Sequence, residues 1–259
     1  MKQKKVQGGK IMGQNREAEL HHTRDAEELQ AAFKREGCPV CNVVLHAMNL
    51  YMDSWQYEGF TDVEERHRLI ASRGFCPLHT WQLAQYHTAF QLALVYREIL
   101  TEVVEKVRRD QEKLKAADHP SARGSAWIPW RKSKRQRATD VEPLFDLCPF
   151  CKLRTAVEER LVQTLVAQLQ SEGTRSGLSQ STGLCLLHFT MARQYALQTH
   201  PELEAALLEC QSACLWRVLE EDKELIRKHD YRFEDESHGD EMTAWRRAAE
   251  LCAGNPGVR

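Results

Sequence analysis

Residues 38–55 read CPVCNVVLHAMNLYMDSW. Two cysteines separated by two residues open the stretch. Val40, Val44, Ala47, Met48, Tyr51 and Trp55 then recur at three- and four-residue steps. That period predicts a helix with one apolar face. Pro39 suits the first turn, where its missing N–H costs nothing. Residues 148–165, CPFCKLRTAVEERLVQTL, repeat the design, with Leu153, Val157, Leu161, Leu165 and Leu169 on the apolar face. The two C-P-x-C motifs are offset by 110 positions.

A second pair of motifs follows at nearly the same offset. At an offset of 109, Gly74, Cys76 and His79 fall on Gly183, Cys185 and His188, and Gln85-Tyr86 falls on Gln194-Tyr195. Each half therefore carries C-P-x-C, a gap of 34 or 33 residues, and C-x-x-H. Two such sets in the same order mark a duplicated unit. Two ligands spaced by two residues can chelate one ion from a single turn. Three Cys and one His supply the donors that zinc prefers and close a tetrahedron. All four motifs open helices, whose N-terminal N–H groups and dipole favour thiolate.

The nearest reading in sequence is one site per half: Cys38, Cys41, Cys76 and His79, then Cys148, Cys151, Cys185 and His188. Two zinc ions per chain are expected. A closed shell leaves no open position for water or substrate, which points to a structural rather than a catalytic metal. An iron–sulfur cluster is the alternative cofactor. Thiol–disulfide chemistry is the other, since C-P-x-C at a helix start also occurs in disulfide exchange. Redox motifs of that kind normally follow a strand, and no strand pattern is visible. The redox reading also leaves the paired C-x-x-H without a role.

The surrounding sequence is helical throughout, and the expected fold class is all-α. A polar helix is predicted over 25–35, ending at Gly37. Gly59 is a plausible helix stop. Thr61-Asp62-Val63-Glu64 reads as a capping box with Thr61 as N-cap, and Gly74 sits where a C′ glycine would. One long helix is predicted over 77–115, with a seam of Ala89, Ala93, Tyr96, Leu100, Val103 and Val107 that wants a partner helix. Its expected partner is the long helix around 201–227, which would pair the two halves. A glycine- and serine-rich loop is expected before Gly183, and a last helix near 241–251. The predicted organisation is a polar tail (1–24), a first metal-binding repeat (25–116), a basic proline-containing linker (117–143) and a second repeat with C-terminal helices (144–259).

Composition bounds the function. The 259 residues carry a formal net charge of -1, so the chain as a whole has no field that attracts nucleic acid or a membrane. The basic run 131–137, preceded by Trp127 and Trp130, is the one stretch suited to nucleic acid, but a charge run in a proline-containing linker is usually just solvated, and no nucleic-acid partner is expected. No run of about 18 apolar residues occurs, and the basic start lacks an apolar signal core. Nine cysteines without an export signal fit a reducing, cytoplasmic setting. Cys210 and Cys214 read as buried small residues, and His46, His67 and His87 as ordinary side chains. Glu58, Asp62 and Arg66 read either as caps and surface pairs or as groups orienting a ligand. No Ser/His/Asp arrangement, phosphate-cradling loop or zincin motif points to an enzyme. The expected role is that of a scaffold or regulatory module acting through a protein partner.

The combined pattern resembles a bacterial family of unknown function. It rests on C-P-x-C, Tyr57-Glu58, Asp62, Arg66 and Gly74-Phe75-Cys76…His79. The C-terminal half adds Ile226-Arg227-Lys228-His229-Asp230-Tyr231-Arg232-Phe233, Trp245 and a terminal Gly-x-Pro-Gly. The resemblance runs from about residue 25 to the end. It implies a fold and cytoplasmic residence, and no activity.

Overall fold

A computed structural model describes residues 23–86, 88–117, 148–233 and 235–258. Every regular element among them is helical. In chain order these are α1 (23–32), α2 (Pro39–Ser54), α3 (Val63–Ala71), α4 (Pro77–Leu83), α5 (Ala89–Ala117), α6 (Pro149–Gln168), α7 (Glu172–Gln180), α8 (Leu186–Thr199), α9 (Glu204–Lys228) and α10 (Ala244–Ala253). A π-helical segment, Trp55–Gly59, follows α2 directly. The expected tail lies outside the described residues up to position 22, and the expected linker lies outside them from position 118.

The chain divides into two compact units, and the division does not follow the repeats. One unit takes residues up to Leu50 together with those from Leu153 onward. The other spans Tyr51–Lys152. The boundaries therefore fall inside α2 and α6.

The first unit is built around α9, which packs on α7, α8 and α10. Leu207, Cys210, Gln211, Cys214, Val218 and Leu225 form its buried face. Cys210 and Cys214 lie against α7, with the Cys214 Sγ 3.2 Å from the Leu178 carbonyl oxygen. The expected loop before Gly183 is the helix α7. Gly177 lets α7 approach Phe33, whose ring lies 2.7 Å from where a Cβ would stand. Asp25 of α1, almost fully buried, accepts two hydrogen bonds from Arg160 of α6 at 2.6 and 3.1 Å.

The second unit packs α3 against α5 over an aromatic cluster. Trp55 meets Phe60 and Phe75 edge-on at 5.3 and 5.2 Å, and Phe150 lies 5.7 Å from it. Gly59 is required here, because a Cβ would stand 2.3 Å from the Trp55 indole.

Several local expectations shift. Asp62, not Thr61, caps α3: its carboxylate accepts from the Glu64 and Glu65 N–H groups at 2.8 and 3.0 Å. The C′ residue of α3 is Arg73 (φ 65), and Gly74 (φ 99) comes one position later. Gly74 N–H donates to the Leu69 carbonyl and Arg73 N–H to that of Ile70. This double bond pattern ends the helix and satisfies its last carbonyls. The helix expected over 77–115 is two helices. The chain turns after α4, and Thr88, fully buried, donates its hydroxyl proton back to the Leu83 carbonyl at 2.7 Å. The seam of α5 is also displaced. Its buried face is Leu92, Val95 and Ile99, whereas Leu100 and Val107 of the expected seam are exposed. Each long helix finds neighbours inside its own unit, α5 in α3 and α9 in α7, α8 and α10, where the other long helix was expected.

Candidate metal centres

Four helix starts present the eight predicted ligands. Cys38 and Cys148 immediately precede α2 and α6, each followed by a proline in the first turn. Cys76 and Cys185 are the N-cap residues of α4 and α8, in extended conformation. The second member of each pair lies three residues on, one turn into the helix. Gly74 and Gly183, two residues before the N-caps, have φ of 99° and 96°. Left-handed backbone turns the chain into both C-x-x-H helices at equivalent points of the repeat.

The structure assembles these ligands as two tetrads, but not one per repeat. Cys38, Cys41, Cys185 and His188 form one; Cys76, His79, Cys148 and Cys151 form the other. In each tetrad the ligand atoms lie within 4.8 Å of one another. This corrects the grouping expected from sequence. Each C-P-x-C pair closes on the C-x-x-H of the opposite repeat. The 76–151 tetrad is nested inside the span of the 38–188 tetrad, so we call them inner and outer. The outer ligands all belong to the first unit and the inner ones all belong to the second. All nine cysteines are free thiols.

The geometry fits a tetrahedral ion. Zinc bonds of about 2.3 Å to sulfur and about 2.0–2.1 Å to nitrogen imply edges of roughly 3.8 Å between sulfurs and roughly 3.6 Å between sulfur and nitrogen. In the outer tetrad Cys41 Sγ lies 3.9 Å from Cys185 Sγ. His188 Nδ1 lies 3.5, 3.4 and 3.2 Å from the sulfurs of Cys38, Cys41 and Cys185. In the inner tetrad Cys151 Sγ lies 3.5 Å from Cys76 Sγ. His79 Nδ1 lies 3.6, 3.4 and 2.9 Å from the sulfurs of Cys148, Cys151 and Cys76. Both histidines thus turn Nδ1 inward.

The surroundings of the two tetrads differ. Behind His188, the Glu158 carboxylate stands 3.5 Å from Nε2, and both side chains are almost fully buried. Arg154 lies 4.0 Å beyond on the same carboxylate. A carboxylate behind a ligating imidazole fixes its tautomer and raises its basicity. The C-terminal Gly-Asn turn seals this tetrad. Asn255 accepts from the Cys38 N–H at 2.9 Å and donates to the Asn42 side chain at 2.8 Å. Gly254 (φ 83) passes so close that a Cβ would stand 3.5 and 3.7 Å from the Cys41 and Cys185 sulfurs. The inner tetrad is backed by aromatic surface, with the His79 ring stacked on Phe150 at 5.3 Å and 29°. Its Cys151 is the one ligand of the eight that is half-exposed.

Burial raises three of the six tetrad thiols. It pushes Cys38 well up, and it raises Cys148 and takes Cys151 to about 12, where the nearby Cys148 thiol adds to it. Cys185 moves the other way, because the Cys38 and Cys41 thiols donate to its thiolate. At His188 burial opposes the charge, but hydrogen bonds to Cys185, Cys41 and Glu158 outweigh it and raise the imidazole to about 11. The shifts at Cys185 and His188 run in the directions that favour a thiolate beside an imidazolium. A divalent cation would take the place of these protons.

The structure brings all eight predicted residues into the two tetrads, and sequence reasoning missed Glu158, Gly254 and Asn255 as neighbours of the outer one. The terminal Gly-Asn-Pro-Gly was visible as a motif, without a role. Glu158 gave a fainter signal, a charge adjacent to the apolar positions of α6. Of the groups considered as ligand orienters, Asp62 is a helix cap, and Glu58 is exposed. His46 and His67 are exposed, and His87 lies outside the described residues. The basic run 131–137 also lies outside them.

A family model described as a family of unknown function (DUF6062) matches residues 15–257. The chain belongs to the DUF6062 family. A relative from Caldicellulosiruptor sp. (strain Rt8B.4), named as an uncharacterised 23.9 kDa protein in the xynA 3′ region, is 24% identical over 224 residues. That alignment covers 86% of this chain and 97% of the relative. No solved structure matches the chain. No helix among the described residues is long and apolar enough to cross a membrane.

Proposed function

We propose that this DUF6062 protein binds two zinc ions as structural centres and serves as a metal-locked helical scaffold or regulatory module. The observation that carries the reading is the pair of Cys3His tetrads with tetrahedral spacing. Cys38, Cys41, Cys185 and His188 would hold one ion, and Cys76, His79, Cys148 and Cys151 the other. Each ion would join two helix starts that are distant in sequence, and four protein ligands would leave it no exchangeable position. The metal would then contribute folding energy directly. The described helices offer no second set of catalytic groups around either tetrad, which favours a structural metal over a catalytic one.

Metal analysis of protein purified without added metal tests this reading. Two zinc ions per chain in colourless protein, with loss of helicity on chelation, are expected. Bound zinc whose removal leaves the melting temperature unchanged would refute the structural role. A brown protein with iron and labile sulfide would replace it with an electron-transfer or sensing reading. Metal-free protein with reversible disulfides within C-P-x-C would make the tetrads thiol devices.

A further inference from the structure

Helix α5 carries two apolar faces, and among the described residues only one is packed. Leu92, Val95 and Ile99 are buried on the side facing α3. On another side Leu100, Val104, Val107 and Leu114 are 60, 47, 45 and 53% exposed. With Phe90, Ala93, Arg97 and Gln111 they follow a strict three–four alternation from residue 90 to 114. That is the period of a coiled-coil seam, with Leu100, Val107 and Leu114 in one core register and Val104 in the other. From Val104 to Lys115 no residue is buried, and only Lys106 is half-buried. The C-terminal half of this 29-residue helix thus runs on without a packed face. Isolated helical segments of that length are marginal in water. A row of exposed valines and leucines on such a segment marks a covered surface.

We propose that this seam pairs with the same seam of a second copy, antiparallel, with Val104 opposite Val107 of the other chain. Charge selects that occupant and register. Along the flank of the seam, Glu98 and Glu105 precede Arg108 and Lys115, and all four side chains keep at least part of their surface in solvent. Antiparallel pairing across Val104 and Val107 places Glu105 beside Arg108 of the second copy and Glu98 beside its Lys115. Parallel pairing in register would turn Arg108 toward Val103 of the second copy and leave Glu98 and Glu105 away from the facing helix, with Asp110–Lys115 as the one opposite-charge contact on each side. The same arrangement sets Leu100 opposite Gln111 and Arg97 opposite Leu114. Polar groups within an apolar seam lower its stability while fixing its register. The shallow groove lined by Ala93, Tyr96, Arg97, Leu100, Val104 and Arg108 is where the second helix lies. This inference does not depend on the identity of the metal.

Sedimentation equilibrium of the full chain across micromolar concentrations tests it. A reversible monomer–dimer equilibrium is expected. Val107→Lys should weaken it by about tenfold or more, since it buries an unpaired charge. Glu105→Arg and Arg108→Glu should each weaken it, and the double variant should restore it. All of these positions are exposed in the monomer, so helicity and metal content should stay at the parent value, and both are measured alongside. A chain that stays monomeric throughout, or a dimer insensitive to Val107→Lys, overturns the proposal. Failure of the double variant to recover association overturns the antiparallel register, and with it the second copy as the occupant. The same holds if deleting residues 118–147 is what first exposes a self-associating surface, because the seam would then be covered by the chain itself.

Discussion

The outer and inner tetrads have the same donors, the same motif pairs and the same helix-start geometry, yet they are backed in opposite ways. The outer one is closed on every ligand, with a buried carboxylate behind its histidine and the C-terminal turn against its sulfurs. The inner one leans on aromatic rings and leaves Cys151 half-exposed. Duplication evidently copied the ligands without copying their surroundings. If both hold zinc, the outer ion should be the tighter and slower to exchange, and the inner ion the more accessible.

The largest test of that difference removes one ligand from each centre. A structural zinc contributes roughly 10–16 kcal/mol of apparent binding energy, comparable with the roughly 5–15 kcal/mol net stability of a whole domain. Cys38→Ser should therefore abolish cooperative melting of the first unit, as followed by circular dichroism. Cys151→Ser, at the half-exposed position, should lower the melting temperature while leaving a cooperative transition. Equal behaviour of the two variants would remove the distinction between the centres.

Release kinetics come next. Chelator in the presence of a maleimide should label Cys151, Cys148 and Cys76 about tenfold faster than Cys38, Cys41 and Cys185, as read by peptide mass mapping. The reverse order would mean that the C-terminal turn does not seal the outer centre. The Glu158→Gln variant sharpens the comparison further. It should weaken zinc at the outer centre by about 10–100-fold and leave the inner centre unchanged.

A smaller effect separates the two equivalent glycines. A Cβ on Gly183 would stand 2.6 Å from the Cys214 Cβ, on a buried helix face. One on Gly74 would stand 2.9 Å from the edge of the Tyr96 ring, which is only half-buried and can yield. Both positions also impose positive φ. Gly183→Ala should cost roughly 2–3 kcal/mol and Gly74→Ala about 1 kcal/mol in chemical denaturation.

The smallest effect concerns pH in metal-free protein. Burial raises Cys148 and takes Cys151 to about 12, while unfolded thiols ionise near 8.5. A raised pKa stabilises the fold below the unfolded value and is lost as pH rises. The metal-free inner region should therefore melt slightly earlier at pH 10 than at pH 8. In the outer tetrad Cys185 has the opposite sign, being held below the ordinary thiol range. Its stabilisation is present above the unfolded thiol value and opposes only part of the alkaline loss that the raised Cys38 thiol and His188 imidazole cause there. Site-resolved NMR melting at the two pH values distinguishes the regions.

The eight candidate ligands were legible in the sequence, but the grouping expected there, one site per half, is not the one the structure assembles. Two residues between donors is a local constraint, visible as soon as both copies are aligned. Which C-x-x-H closes on which C-P-x-C depends on packing across more than a hundred residues, and both groupings satisfy the spacing equally. The helices were legible for the same local reason, and their errors share a cause. Glu172-Gly173-Thr174-Arg175-Ser176-Gly177 looks like a loop by composition, yet it is helical because Gly177 gives α7 its close approach to Phe33. On α5 two apolar stripes overlap in sequence, and periodicity alone could not say which one faces α3. Glu158 was hidden because a charge beside an apolar stripe is ordinary until a histidine from α8 is seen behind it.

The nesting of the centres has a consequence for the order of events during synthesis. The inner set is complete once Cys151 has been made, whereas the outer set waits for His188 and its seal for Gly254 and Asn255. Cys41 and Cys185 are 144 positions apart, and His79 and Cys151 are 72 apart within that span. Closing the inner ring first ties off about half of the chain that the outer ring must gather. Loop-closure entropy changes by about 0.6 kcal/mol for each halving of loop length. The gain is modest, but it favours an order: were both tetrads to bind ions, the inner one could close before His188, Gly254 and Asn255 had been made.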